Sequence, residues 1–100
     1  MDKIKLFNYG RNYSSSNPNT IGVDFGPLEL YFSYTTIVAF RTPNGVLVIS
    51  ENVWSTTTGK HLNMIDPDKK KRIPYSLFET QLELLMNQLT ISLAPQHEMS

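Results

Sequence analysis

LELYFSYTTIVAFRTPNGVLVISENVWSTTTGKHLNM, which runs from Leu28 to Met64, is the stretch that decides the fold of this chain. It contains three runs rich in β-branched and aromatic residues, at 28–34, 37–42 and 46–50, and such runs predict strands. Side chains two apart on a strand share a face, so the alternation in the first run predicts a core face. That face consists of Leu28, Leu30, Phe32 and Tyr34.

Two connections within this stretch carry different signals. Pro43-Asn44-Gly45 supplies a fixed φ and two residues that tolerate positive φ, so it predicts a turn between antiparallel strands. Thr35-Thr36 lacks the glycine, asparagine or aspartate that a tight two-residue turn favours. The sequence therefore leaves two alternatives open at Thr35-Thr36, a hairpin turn or one long strand with a bend.

A short helix is predicted after Trp54. Ser55 or one of the threonines that follow it can accept backbone N–H groups in the first turn. Gly59 lies within this helix and weakens it by up to about 1 kcal/mol relative to alanine. Pro67 ends the element.

A longer amphipathic helix is predicted near the C-terminus, at about 77–89. Ser76 and Glu79 have the spacing of a capping box, in which the serine caps the helix and the glutamate returns the bond. Apolar side chains then recur at helical spacing and form a stripe that would pack on the sheet. The stripe consists of Phe78, Leu82, Leu85 and Leu89.

The N-terminal part of the chain predicts two further strands. Lys3 to Phe7 has the alternation of an edge strand, with Ile4 and Leu6 on one face. Ile21 to Phe25 predicts a short strand that Gly26-Pro27 stops.

The fold expected from these elements is a single α+β domain over residues 1–100. It has a small, mainly antiparallel sheet of three to five strands, the short helix after Trp54, and the C-terminal amphipathic helix on one face. The segment 8–20 is rich in asparagine and serine and is expected to be a mobile loop. The tail 95–100 is expected to be frayed.

The composition excludes several kinds of protein. Nine lysines and arginines balance nine aspartates and glutamates, so a net charge of zero removes the general electrostatic argument for nucleic-acid binding. No cysteine is present, which excludes disulfides and thiolate chemistry. The sequence has no apolar run of signal-peptide or membrane-spanning length, so we expect a cytoplasmic protein without a membrane partner. The sequence does not exclude a homodimer, which would add buried surface to the small core of a chain of this length.

The candidate binding site lies at the start of the short helix. Helix N-termini present free N–H groups and partial positive charge, which suit an anion, and hydroxyl and basic side chains gather there. These residues are Ser55, Thr57, Thr58, Lys60 and His61, extended by the basic run Lys69, Lys70, Lys71 and Arg72. The alternative reading is that the hydroxyls only cap the helix and that His61 binds a backbone group.

The sequence gives little support for a metal, cofactor or catalytic site. His61 and His97 are far apart, and no ligand spacing predicts a metal site or a cofactor. No nucleophile elbow or complete phosphate loop is present, so no catalytic residue is assigned.

One pattern resembles a known group of proteins. Phe32-Ser33-Tyr34-x-Thr36-x-Val38-Ala39, followed by a glycine-containing turn and then Ser55-x-Thr57-Thr58-x-Lys60-His61, is similar to a motif in small uncharacterised proteins of phages and related mobile elements. The resemblance covers roughly residues 28–65. It implies a viral accessory context, so the cytoplasm expected from the composition would be that of a host cell.

The sequence leads to three hypotheses about function. The first is a non-enzymatic accessory protein of a virus or mobile element that binds a host protein. The second is a small nucleic-acid or phosphate-binding protein that uses the candidate site. The third is an enzyme of unrecognised class, which ranks last because no catalytic constellation is visible.

Overall fold

The computed structural model describes residues 4–10 and 18–93. Within them the chain forms six strands, two α-helices and two short 3-10 helices, at Pro18–Thr20 and Lys69–Lys71. The strands are β1 (Lys5–Asn8), β2 (Ile21–Asp24), β3 (Glu29–Ser33), β4 (Thr36–Arg41), β5 (Leu47–Ser50) and β6 (Arg72–Ile73), and the helices are α1 (Thr56–Ile65) and α2 (Tyr75–Leu93).

All six strands form one sheet in the order of the sequence. Neighbours pair antiparallel from β1 to β5, and β6 joins β5 in parallel. The predicted α+β class and mainly antiparallel sheet are confirmed, whereas the range of three to five strands is too low. The additional strand is β6, whose two residues are too few to produce a periodic signal in the sequence.

The β3–β4 connection is a hairpin, which decides between the two alternatives at this point. Ser33 pairs with Thr36, so only Tyr34 and Thr35 form the turn. Tyr34 adopts a φ of +57°, a conformation that costs a non-glycine residue about 1–2 kcal/mol. Its N–H donates to the Asn19 carbonyl oxygen at 3.0 Å, which helps to hold the turn. Tyr34 is 48% exposed, so its assignment to the core face was wrong.

Both faces of the sheet are covered, one by each helix. On the α1 face the buried cluster contains Tyr31, Val38, Ala39, Ile49 and Leu62. On the α2 face it contains Leu28, Leu30, Phe40 and Phe78. Val38 and Ala39 are consecutive yet lie in the same cluster, because a bulge shifts the register between β3 and β4 at this point.

The edge position predicted for the first strand is confirmed. Phe7 packs on Tyr31 with ring centroids 5.7 Å apart, and it lies directly over Gly22, where a side chain would collide with the Phe7 ring. Leu6 points the other way and is 71% exposed, and Ile4 is 53% exposed. The packed residue of this strand is therefore Phe7.

The ends of the predicted loop 8–20 are tied to each other. Tyr9 N–H donates to the Thr20 carbonyl oxygen at 3.0 Å, and the Thr20 hydroxyl donates to Asn8 Oδ1 at 2.5 Å. Thr20 is fully buried. Residues 11–17 of this loop and the predicted frayed tail 95–100 lie outside the described residues.

The helix α2 begins earlier than expected and is capped differently. Tyr75 is its first residue, so Ser76 lies inside the first turn and the predicted capping box is wrong. Glu51 takes the capping role from another part of the chain, since its Oε2 accepts the Tyr75 N–H at 2.9 Å. Leu82 and Leu85, predicted to be buried, are half-buried and pack against the α2-face cluster.

Candidate functional site

The predicted site residues on α1 separate into two groups because of the helical period. Thr58 and His61 are three residues apart and face the sheet, where both are buried. Lys60, three residues after Thr57, points to solvent, and Thr57 is half-buried. The helix therefore places two of the predicted site residues, Thr58 and His61, inside the protein.

Ser55 caps α1, as the sequence suggested. Its Oγ accepts the Thr58 N–H at 3.2 Å, which satisfies one of the free donors of the first turn. Asn52 supports the cap from outside, because its Nδ2 donates to the Ser55 carbonyl oxygen at 2.8 Å and its Oδ1 accepts the Trp54 N–H at 3.0 Å. The Asn52 amide lies against Gly59, where an added Cβ would be 2.9 Å from Nδ2. Gly59 thus makes room for the side chain that braces the cap.

A buried polar network joins α1 to β3. Ser33 Oγ lies 2.7 Å from His61 Nδ1 and 3.0 Å from Thr58 Oγ1. Exposure is 2% for Ser33, 4% for Thr58 and 0% for His61. The expectation that His61 lies outside the core is therefore wrong. Its partner in this network is a serine side chain, and not only the backbone as the alternative reading proposed.

The surroundings of His61 favour the neutral imidazole. Burial lowers the pKa of His61 below its usual value of 6.5, since an imidazolium loses hydration in the interior. The Tyr34 ring lies beside it, with the two ring centroids 5.6 Å apart. The strained turn residue and the buried histidine thus belong to one cluster.

A serine hydroxyl hydrogen-bonded to a histidine is also the arrangement of an activated nucleophile. A nucleophile must reach the electrophilic atom of a substrate, and Ser33 is almost completely enclosed. The same contacts serve the fold directly, because they give each of three buried polar side chains a hydrogen-bond partner between a helix and a sheet. We therefore assign this network to the attachment of α1.

Sequence reasoning missed two residues that hold α1 in place, Ser33 in the buried network and Asn52 at the cap. Ser33 was placed on the more polar face of a half-buried strand, but both faces of β3 are covered. A signal was present, since Ser33 and His61 both belong to the motif that begins at Phe32 and ends at His61. Asn52 carried no periodic signal, because it lies in an irregular segment.

The basic run 69–72 forms a short 3-10 helix followed by β6. Asp68 caps it, with Oδ1 accepting the Lys70 N–H at 3.0 Å. Lys71 Nζ lies 3.3 Å from Asp66 Oδ2. The Asp68 N–H, with a smaller effect from Lys71, lowers the pKa of Asp66. The three lysines are exposed at the surface, and the charge of Lys71 is partly offset by Asp66.

Arg72 connects this run to α1. Its NH2 donates to Asn63 Oδ1 at 2.7 Å, and a second contact reaches the Asp66 carbonyl oxygen at 3.5 Å. Asn63 is exposed and lies three residues after Lys60 on the helix, which places the two side chains on neighbouring turns. The Arg72–Asn63 hydrogen bond thus links the basic run to the helix that carries Lys60. We call Lys60, Lys69, Lys70, Lys71 and Arg72 the basic surface.

The described residues offer neither a metal-binding cluster nor a membrane-spanning helix. No group of three or more histidine, aspartate or glutamate side chains within residues 4–10 and 18–93 is arranged to hold a metal ion. Over the same part of the chain, no helix has the length and apolar character needed to cross a membrane.

Comparison with known proteins gives one family. A family model described as a family of unknown function (DUF8033) matches residues 4–80, which is more than half of the chain and includes both the buried network and the basic surface. No curated protein and no solved structure matches the sequence. The chain therefore belongs to this family of unknown function, DUF8033.

Proposed function

We propose that this protein is a non-enzymatic accessory protein of a virus or mobile element, and that it binds a protein of its host cell through the basic surface. The observation that carries the proposal is the 2.7 Å hydrogen bond between Arg72 and Asn63. It links the basic run to the helix that carries Lys60, and Lys60, Lys69, Lys70 and Lys71 are exposed. The partner surface that fits this face is acidic.

The charges of the basic surface are spread over secondary structure. Lys60 lies on α1, Lys69 to Lys71 on a 3-10 helix and Arg72 on β6. Side chains on such elements lose less freedom on binding than side chains on a loop, so complementary charges steer and orient a partner more effectively. This arrangement supports recognition of a defined acidic patch.

The balance of charge favours a protein partner over a nucleic acid. The chain carries no net charge, and Asp66 and Asp68 lie within the basic segment. A nucleic-acid backbone repels such carboxylates along its whole length, whereas a protein surface can offer a donor to each of them.

Phosphate or nucleic-acid binding is the second candidate. It draws support from the local excess of charge, because residues 60–72 contain five lysines and arginines against two aspartates. The two candidates differ in their salt dependence. Each phosphate contact contributes about 0.9 to the slope of log affinity against log salt concentration on duplex DNA.

The test is affinity capture from a lysate of the host cell, with and without nuclease treatment. Wild type is compared with Lys60→Glu/Lys70→Glu, which reverses two exposed charges without touching the core. We expect wild type to retain a protein after nuclease treatment and the double variant to lose it. The matched control is Lys5→Glu, because Lys5 is an exposed residue of β1, at the sheet edge opposite β6.

The proposal is contradicted if the double variant captures the same protein as wild type, or if Lys5→Glu loses it as completely. Capture that disappears with nuclease, together with a steep salt slope for purified nucleic acid, would establish the second candidate. Circular dichroism of each variant checks that the fold is kept.

A further inference from the structure

A groove lies on the opposite side of the sheet from the buried network, between the β3–β4 hairpin and the first turns of α2. Its volume is 280 Å³, and its floor is apolar. The floor consists of Phe32, Ile37, Phe78 and Leu82. Phe78 is 1% exposed, while the other three are half-buried and leave apolar surface in contact with solvent. The groove is of a size to take one aromatic ring or a short aliphatic chain.

The rim of the groove carries one charged side chain, Glu79. Its Oε2 accepts a hydrogen bond from the Tyr75 hydroxyl at 3.1 Å, which fixes the carboxylate at the mouth. The same hydrogen bond raises the pKa of Tyr75, since a neighbouring carboxylate disfavours the phenolate. Among the described residues that line the groove, none is basic, and Thr35 and Thr36 supply hydroxyls on the side of the hairpin.

Carboxylates determine which ligand charge this site favours. A helix N-terminus by itself favours an anion, but at α2 the Glu51 carboxylate already accepts the Tyr75 N–H at 2.9 Å. Glu79 adds a second carboxylate one turn further on. An anionic ligand would meet the like charge of Glu79 at the mouth, whereas a cation gains an opposite charge next to an aromatic ring.

We propose that this groove binds a small organic amine, with the apolar body of the ligand on the floor and its ammonium group at Glu79. The Tyr75 hydroxyl and the hairpin threonines bound the entrance, and the ammonium donates to the Glu79 carboxylate. This site lies on the α2 face, whereas the basic surface is built on α1 and β6. The two proposals therefore concern different surfaces, and the failure of one would not affect the other.

The experiment is a two-dimensional amide NMR titration of the full chain with three probes of similar shape. They are 3-phenylpropylammonium, the neutral 3-phenylpropan-1-ol and the anionic 3-phenylpropionate. We expect saturable shifts for the ammonium, centred on the amides of Thr35, Thr36 and Glu79. The alcohol should bind about three- to fivefold more weakly, the usual effect of one exposed ion pair, and the carboxylate more weakly still.

Two variants of the same helix identify the carboxylate. Glu79→Gln should make the ammonium and the alcohol bind equally well, whereas Glu83→Gln should keep the preference of wild type. Glu83 is the matched control because it is exposed on α2, one turn further on, and does not line the groove. Both side chains lie at the surface, so neither variant puts the fold at risk.

Three results would overturn the inference. The first is the absence of saturable shifts with the ammonium probe. The second is equal affinity for the three probes in wild type. The third is an ammonium preference that survives Glu79→Gln.

Discussion

Ser33 Oγ lies 2.7 Å from His61 Nδ1, and the two residues are 28 positions apart in the chain. This contact ties α1 to the centre of the sheet. It also explains why the polar residues at the start of α1 are not all available to a partner, since Thr58 shares the same network at 3.0 Å from Ser33. The remaining exposed charge of the helix is Lys60.

Ser33→Ala removes the hydroxyl and leaves polar atoms of His61 and Thr58 without this partner in the interior. A buried polar group that loses its hydrogen bond costs about 1–3 kcal/mol, so the free energy of unfolding should fall by that amount. Urea unfolding measures it. The control is Ser76→Ala, which should change stability by no more than about 0.5 kcal/mol because Ser76 is exposed and does not cap α2. Equal effects of the two substitutions would contradict this account.

Stability should decrease as the pH falls through the titration range of histidine. The pKa of His61 is lower in the folded state than in the unfolded chain, where it is 6.5, so below that value the unfolded state binds more protons. The stability that the neutral His61 contributes is therefore fully present above pH 6.5. It is lost as the pH falls through 6.5 towards the lower pKa of the folded state.

The measurement is the free energy of unfolding from about pH 7.5 to about pH 5, the range in which histidine titrates. His61→Gln should flatten the curve, although it lowers stability at neutral pH. His97→Gln removes the other histidine of the chain and is the comparison variant. A slope that persists in His61→Gln would show that another group is responsible.

Glu51 replaces the capping box that the sequence suggested for α2. Glu51→Ala removes the acceptor of the Tyr75 N–H and should cost about 0.5–2 kcal/mol, the usual effect of losing a helix cap. Glu51→Gln keeps an acceptor and should recover part of the loss. Thermal unfolding monitored by circular dichroism distinguishes them, and an unchanged melting temperature for Glu51→Ala would refute the cap.

Substitution of Gly59 tests whether the Asn52 side chain stabilises the cap of α1. In a helix interior Gly→Ala ordinarily stabilises by about 1 kcal/mol. Here the new Cβ would displace the Asn52 amide, which is hydrogen-bonded to Ser55 and Trp54. Gly59→Ala should therefore lower the free energy of unfolding. In an Asn52→Ala background the same change should become stabilising. A gain in both backgrounds would show that the contact is unimportant.

The elements that the sequence predicted well are those with a strong local period. The strands around Pro43-Asn44-Gly45, the short helix and the amphipathic stripe of α2 depend on residues close together in the chain. The errors concern contacts between distant segments. Nothing local to Ser76 reveals that Glu51 reaches the helix start, and nothing local to Tyr34 reveals that Asn19 accepts its N–H at 3.0 Å.

The candidate site shows the same division. The sequence predicted that Lys60 and the run 69–72 belong to a binding surface, and in the structure Arg72 bonds to Asn63 on the helix that carries Lys60. Helical spacing in principle separates His61 from Lys60, but the face that turns inward depends on the sheet. Because β3 is covered on both sides, its serine became the partner of a buried histidine.

The central claim is that the basic surface binds an acidic protein partner, and the most direct measurement is the dissociation constant of the captured partner by isothermal titration calorimetry. Loss of two charge pairs at an interface weakens binding by about tenfold or more, so Lys60→Glu/Lys70→Glu should raise the dissociation constant by at least that factor. Lys5→Glu should leave it within about twofold of wild type, since a charge beyond the Debye length of about 8 Å is largely screened. Equal dissociation constants for wild type and the double variant, or an equal loss in Lys5→Glu, would contradict the account.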